Sequence, residues 1–353
     1  MANFLVVFIL ASAFVFRAEA DKVDRAVQAE MRGHPIPGLS LEVIKNGRCI
    51  KRAGYGLANL EWRTPVTPRT VFEIGSITKQ FTAAGILLLA QEGRLSLDDP
   101  VSRHLPGTPV SWKNITLRNL LTHTSGLKNY TVLDGFELRQ HLTQAQFIRL
   151  LSAQPLDFQP GEKWSYCNSG FNLLGYVIEN VSGTNYWAYM RDRIFVPLGM
   201  SSTTNRDPYS ILAQRAAGYE TNRGGQYINR DYDLTDIFSA GAIVSTVDDM
   251  ARWNASLDSQ KLLNTASEKE MWTAVRLNDG QTHAYGFGWF LSPLQGHKNI
   301  GHSGSTSGFS ASLQRFPEDG LAVMVLTNSN EEGIATRVAK EIAMLYLANK
   351  NGK

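Results

Sequence analysis

Residues 72–101 read FEIGSITKQFTAAGILLLAQEGRLSLDDPV. Phe72 to Leu89 is predicted helical, with Ser76 near its start, and the run AAGILLLA makes this helix apolar almost all round. A helix without a polar face is buried rather than laid on a surface, so this one belongs at the centre of the protein. Ser76 and Lys79 stand three residues apart on one helix face, where a hydroxyl and an amine can meet. A serine hydroxyl is a poor nucleophile until something takes its proton, and a lysine can do so when burial lowers its pKa. The serine also sits at the N-terminal end of the helix, where backbone N–H groups point outward. By itself the four-residue pattern is weak. Ser125-Gly126-Leu127-Lys128 matches it too, but glycine follows that serine and no apolar helical run continues from it. Tyr-x-Asn also occurs twice, as Tyr166-Cys167-Asn168 and Tyr227-Ile228-Asn229.

Outward from this helix, the two ends of the chain read as strands. Leu39 to Gly56, LSLEVIKNGRCIKRAGYG, places Asn46-Gly47 between two β-type runs, the strongest short-range hairpin signal. A short amphipathic helix over 22–32 precedes it. Near the other end, Tyr285 to Leu291 and Ser310 to Phe316 are predicted strands. Pro317-Glu318-Asp319-Gly320 is a turn into a further strand, Leu321 to Asn328. A last helix over 331–348 puts Ile334, Val338, Ile342 and Leu345 on one face. Between the ends, from about 95 to 275, short helical patterns such as Ile115 to His123 and Phe171 to Asn180 are broken by Pro and Gly. The expected fold is α/β of the α+β kind. An antiparallel sheet flanked by helices is built from both termini, around residues 21–70 and 280–353. An all-helical insertion covers about 71–279 of the single domain 21–353. The junction of sheet and insertion is the natural place for a cleft.

The chain has 353 residues, 43% hydrophobic and 19% charged, enough for a large core and too apolar for disorder. Its net charge of +3 is spread along the sequence without a basic run, so no nucleic-acid partner is indicated. Phe4 to Phe16 is apolar except for Ser12 and is followed by Arg17 and then Ala18-Glu19-Ala20, a small-x-small cleavage pattern. Residues 1–20 therefore read as a signal peptide, although no Lys or Arg precedes the apolar run. The run is shorter than the roughly 20 residues of a permanent anchor, so no stable membrane span is expected after cleavage. The protein is expected to be exported, to the periplasm or the extracellular space. Cys49 and Cys167 are the only cysteines, too few for a disulfide framework; they read as free thiols in or near the core, with a bridge left open. No paired Cys/His spacing suggests a metal, and Asp248-Asp249 reads as a helix N-terminus after Ser245-Thr246.

Order and context lift the serine and lysine above coincidence. Residues 72–101 and the block Ile115 to Leu127, ITLRNLLTHTSGL, closely resemble the active-site serine penicillin-recognising family, which includes class C β-lactamases, D-alanyl-D-alanine carboxypeptidases and related esterases. Pro160 to Glu179, Ser239 to Trp253 and Gly301 to Gly320 resemble it too, so the likeness covers nearly the whole mature chain. The resemblance implies a β-lactamase/transpeptidase-like fold and an acyl-enzyme mechanism without a cofactor. Ser76 would be the nucleophile, Lys79 the partner sharing its proton, and Tyr166 the relay that acts as base and then as acid to the leaving group. Asn168 would hold the lysine and an amide of the substrate, and His302-Ser303-Gly304 falls at the third family motif, on a strand lining the cleft. Gly304 would let the substrate backbone approach, and the N–H groups of Ser76 and Ser305 would form the oxyanion hole.

Two positions depart from the family pattern. Many β-lactamases have a lysine where this chain has His302, which is mostly neutral at pH 7 and offers a carboxylate no fixed charge. Cys167 stands where serine is usual, and it reads as an inert packed thiol. His123 in the THTSG block reads as a structural turn. The substrate expected is a small molecule or short peptide with an ester or amide bond, of the D-alanyl peptidase or esterase type, with β-lactam hydrolysis as the alternative. A binding or sensor module on the same fold would be marked by loss of the nucleophile or the lysine, and both are present.

Overall fold

The structure is a computed structural model that describes residues 22–230 and 232–348; the expected signal segment, 1–20, lies outside them. Strands Gly38–Lys45 and Arg48–Asn59 form the expected hairpin, with Asn46 and Gly47 at φ 51 and 73 in the turn. Positive φ at both central residues is what the tight primed turn demands and what Asn-Gly supplies. At the far end of the chain, Ile300–Thr306, Phe309–Phe316 and Leu321–Thr327 pair as successive antiparallel strands. Leu321–Thr327 then pairs with Gly38–Lys45, with Leu41 opposite Val325, so both ends of the chain build one sheet. Ile300–Thr306 is one edge of this six-stranded sheet and the short strand Thr64–Pro65 is the other.

Side chains alternate between the two faces with the period of a strand. Leu39, Leu41, Val43, Val323 and Val325 pack against Val23 and Val27 of the helix over 22–33, and against Ile334, Val338 and Ile342 of helix Ile334–Met344. Ala322, Met324, Leu326, Ala311 and Leu313 face the opposite way and join the core around the central helix. Both faces are covered, which is why LAVMVLT has no polar alternation. The terminal helix is shorter than predicted: it starts after Gly333, whose φ of 71 is left-handed, and Leu345 falls beyond it, exposed.

The central helix, Thr78–Gln91, buries every side chain from Thr78 to Leu89. It begins later than predicted. Phe72–Glu73 is a strand paired with Ile243–Ser245, and Ser76 lies on a 3-10 turn, Gly75–Ile77, that leads into the helix. In the insertion, helix Asn168–Ser182 packs along the central helix and Val247–Ser259 meets it through Trp253 against Phe81, while Leu117–Leu121 and Gln144–Ser152 pack on Asn168–Ser182; the insertion carries short strands as well, among them the exposed hairpin strand Tyr227–Asn229. The predicted strand Tyr285 to Leu291 is instead an irregular loop that folds back on itself through isolated bridges from Phe290 to Tyr285 and to Gly301. The reason is close approach. Gly288 has φ 79, and a Cβ there would lie 2.9 Å from the Lys79 carbonyl carbon and oxygen, so only glycine lets this loop press on the central helix.

Both cysteines are free; Cys167 is buried, whereas Cys49 lies exposed on the hairpin rather than in or near the core. Thr246 caps helix Val247–Ser259 by accepting the Asp249 N–H. Among the described residues there is no cluster of three metal-ligating side chains and no helix long and apolar enough to cross a membrane.

Candidate active site

Ser76 and Lys79 meet as their spacing predicts. Gly75, at φ 50, turns the chain into the 3-10 turn, and Lys79 Nζ comes 3.0 Å from Ser76 Oγ. The ammonium has two further acceptors, Asn168 Oδ1 and the Ala240 carbonyl, each at 2.8 Å. None of the three is charged, and the lysine is fully buried. Burial without a counter-ion disfavours the ammonium, and the Lys79 pKa falls to about 7. Around pH 7 a large share of these amines is therefore neutral and able to take a proton from Ser76.

Asn168 opens helix Asn168–Ser182, so its side chain projects from a fixed helix end toward Lys79. The Ala240 carbonyl was not legible in the sequence. It sits in the short helix Phe238–Gly241, after Phe238 at φ 45 and ψ −130, a backbone conformation rare for a side chain of this size. Asn172, on helix Asn168–Ser182, fixes that segment: its Nδ2 donates to the Asp236 carbonyl at 2.9 Å and its Oδ1 accepts the Ala240 N–H at 3.2 Å.

The Tyr166 ring lies over Lys79, with Nζ 4.9 Å from the ring centre. Its hydroxyl is shielded from water and closes no hydrogen bond, although Ser76 is near enough to oppose the rise in its pKa. Burial is the larger effect and keeps the phenol protonated at neutral pH. Cys167, between Tyr166 and Asn168, faces the opposite way, its thiol donating to the Leu127 carbonyl at 3.3 Å; burial holds its pKa above the ordinary value.

Strand Ile300–Thr306 runs beside the Ser76 turn as the free edge of the sheet. A Cβ on Gly304 would lie 1.9 Å from the Ile74 carbonyl oxygen and 2.9 Å from Ser76 N, and one on Gly75 would lie 2.6 Å from Ser305 N. Two glycines thus bring the N–H groups of Ser76 and Ser305 close together beside the nucleophile. Ser303 and Ser305 are exposed at this edge.

His302 is placed otherwise than a group reaching substrate. It is buried behind Tyr166, with Nε2 3.1 Å from the Tyr285 hydroxyl and Nδ1 2.5 Å from the Ser303 carbonyl. Burial first, and the positive Lys79 second, push its pKa down to about 3, so the ring is neutral. His123 is the turn residue expected, at φ 59 after helix Leu117–Leu121, but its buried ring also lies against Tyr166, with ring centres 4.3 Å apart and planes tilted by 39°. Tyr285 escaped the sequence reading: it lies 162 residues from His123, and no local pattern marks it. Ser125 is a buried turn residue whose hydroxyl accepts the Leu127 N–H, and Tyr227 is a surface residue.

Comparison with known proteins fits this arrangement. A profile of the Beta-lactamase family matches residues 23–347. Protein flp of Staphylococcus aureus (strain N315) is 29% identical over 320 residues, covering 88% of this chain and 63% of the relative, so the chain spans less than two thirds of that protein's length. Penicillin-binding protein 4* of Bacillus subtilis (strain 168) is 31% identical over 306 residues, covering 82% of this chain and 67% of the relative. The crystal structure of D-amino acid amidase from Ochrobactrum anthropi SV3, complexed with L-phenylalanine amide, superimposes with a TM-score of 0.79 at 25% identity, covering 92% of this chain and 98% of that one. With a match across nearly every described residue and a serine, lysine and tyrosine gathered beside a glycine-lined sheet edge, the chain belongs to the Beta-lactamase family.

Proposed function

We propose that the chain is a serine hydrolase that cleaves an ester or amide bond through an acyl intermediate on Ser76, of the D-alanyl peptidase or esterase type. The observation that carries this is the 3.0 Å contact between Ser76 Oγ and a lysine whose partners are all uncharged. In the first step neutral Lys79 takes the Ser76 proton as Oγ attacks the carbonyl carbon. The N–H groups of Ser76 and Ser305 stabilise the oxyanion that forms. Tyr166 gives its proton to the departing oxygen or nitrogen and recovers one from the Lys79 ammonium. Water then attacks the acyl carbon, and Oγ leaves with a proton returned along the same route. Membership of the Beta-lactamase family and the likeness to an amidase support the reading.

The test is mass spectrometry of the purified protein with a fluorophosphonate probe, alongside hydrolysis of a chromogenic ester. The adduct is expected on the Ser76 peptide, and S76A should lose both labelling and turnover. Unchanged ester hydrolysis in S76A would overturn the mechanism. Time courses with a penicillin distinguish a lasting adduct from the rapid turnover of a β-lactamase. We also propose export, on the apolar run and Ala18-Glu19-Ala20; a secreted product whose N-terminus is Asp21 supports it, and an intact N-terminus in the cell fraction refutes it.

A further inference from the structure

The two N–H groups beside the nucleophile belong to different elements. Ser76 lies on the turn that follows strand Phe72–Glu73, whereas Ser305 lies on Ile300–Thr306, the free edge of the sheet. Ser305 is also one residue short of a tight hairpin. Thr306 pairs with Phe309, so Ser307 and Gly308 alone form the loop, with Gly308 at φ 87. An edge strand has a neighbour on one side only, and its end beside a turn is the part most ready to move.

Alternate residues of this strand point to one side, so Gly304 and Thr306 both face the Ser76 turn. Gly304 acts there as a stop. The backbones are so close that a Cβ on Gly304 would lie 1.9 Å from the Ile74 carbonyl oxygen, so the strand can come no nearer, but this contact does not keep it from receding. Thr306 supplies the pull: its hydroxyl donates to Glu73 Oε2 at 2.6 Å, across 233 residues of chain. Glu73 is buried three residues before Ser76 and is itself anchored. Its backbone pairs with Val244, and its Oε1 lies 3.6 Å from Nε of the buried Arg206. Arg206 is fixed in turn, its backbone N–H donating to the Ala242 carbonyl at 2.8 Å. A lone carboxylate on this wall would oppose a developing oxyanion; the guanidinium offsets that charge and leaves the hydrogen bond to Thr306 in place.

We propose that Glu73 is a positioning residue for acyl transfer: by accepting the Thr306 hydroxyl it keeps the edge strand drawn against the Ser76 turn, so that the N–H groups of Ser76 and Ser305 both reach the oxygen of the attacked carbonyl. This rests on the acyl-serine reading above and deepens it. Full negative charge stands on that oxygen only as the tetrahedral species forms, so a donor that has drifted back weakens the transition state more than the bound substrate. The effect therefore falls on kcat rather than on KM.

The test compares T306V, which removes the hydroxyl and keeps the shape of the side chain, with T306S, which keeps the hydroxyl. With a chromogenic ester, T306V should lose about tenfold in kcat per folded molecule, with KM changed by less than about twofold. Its rate of labelling by the fluorophosphonate should fall in step, because the phosphonyl oxygen meets the same two donors. T306S should recover kcat to within about threefold of the native value. The acid limb of the pH profile should stay near pH 7 in both, because the contacts of Lys79 are untouched. E73D leaves a carboxylate beside Arg206 but withdraws it from Thr306 by one methylene. It should match T306V, and adding T306V to E73D should cost nothing further. Native kcat in T306V, a loss confined to KM, or additive losses in the double variant would overturn the proposal. If the native chain neither labels at Ser76 nor hydrolyses the ester, the acyl-serine reading fails and the proposal falls with it; if it does both, T306V decides the proposal alone.

Discussion

Lys79 gains its reactivity from what surrounds it: three uncharged acceptors, complete burial and a pKa near 7. Its working form is the neutral amine, so the sign is fixed. As pH falls through about 7 the amine is protonated and kcat/KM should drop tenfold per unit, while above about 8 it should level off. His302, already neutral above about 3, adds no second limb in that range. A pH profile with an ester checks this, and an acid limb near pH 10 would contradict it. Tyr166 offers a second check, because its hydroxyl closes no hydrogen bond. Y166F should lose about 10²–10⁴-fold in kcat through the missing proton relay. Its melting temperature should stay at or above the native value, because no bond is lost with that hydroxyl.

At the scale of elements, the site depends on two backbone approaches. The strand Ile300–Thr306 reaches the Ser76 turn only because residue 304 has no side chain. G304A would drive a methyl group into the Ile74 carbonyl and push Ser305 N away from Ser76 N. The expected loss is about 10²-fold or more in kcat, with about 1–3 kcal/mol of stability, read by burst kinetics and urea unfolding. The segment Phe238–Gly241 is the other approach, placed by Asn172 so that the Ala240 carbonyl faces Lys79. N172A should cost about 1–3 kcal/mol. It should also move the acid limb of the pH profile upward, because a loosened wall admits water that favours the ammonium. A limb that stays in place in N172A would mean the segment is held by other contacts.

For the whole molecule, two cores share one sheet and divide stability from chemistry. Leu41 points toward helix Ile334–Met344, on the face away from Ser76. L41A should cost about 2–5 kcal/mol in urea unfolding while kcat per folded molecule stays unchanged, as the active site packs on the opposite face. A fall in kcat equal to that of G304A would show that the faces are coupled. The sheet was readable because its strands are marked locally, by Asn46-Gly47 and by the Pro317–Gly320 turn. The Tyr285–Leu291 loop departs from the expected strand for the complementary reason: its aromatic run has β character, but Gly286 presses on the Met271 backbone and Gly288 on the backbone of Lys79, far away in the chain.

By itself the sequence determined what depends on neighbours along the chain. The buried central helix follows from its uninterrupted apolar run, the hairpin from Asn-Gly, and the pairing of Ser76 with Lys79 from a three-residue spacing. Tertiary structure alone decided the state of those groups. Lys79 meets the Ala240 carbonyl across 161 residues, and His123 meets Tyr285 across 162. A pKa is set by desolvation and by the charges within a few ångströms. It takes its value only once packing removes water and brings those distant residues together.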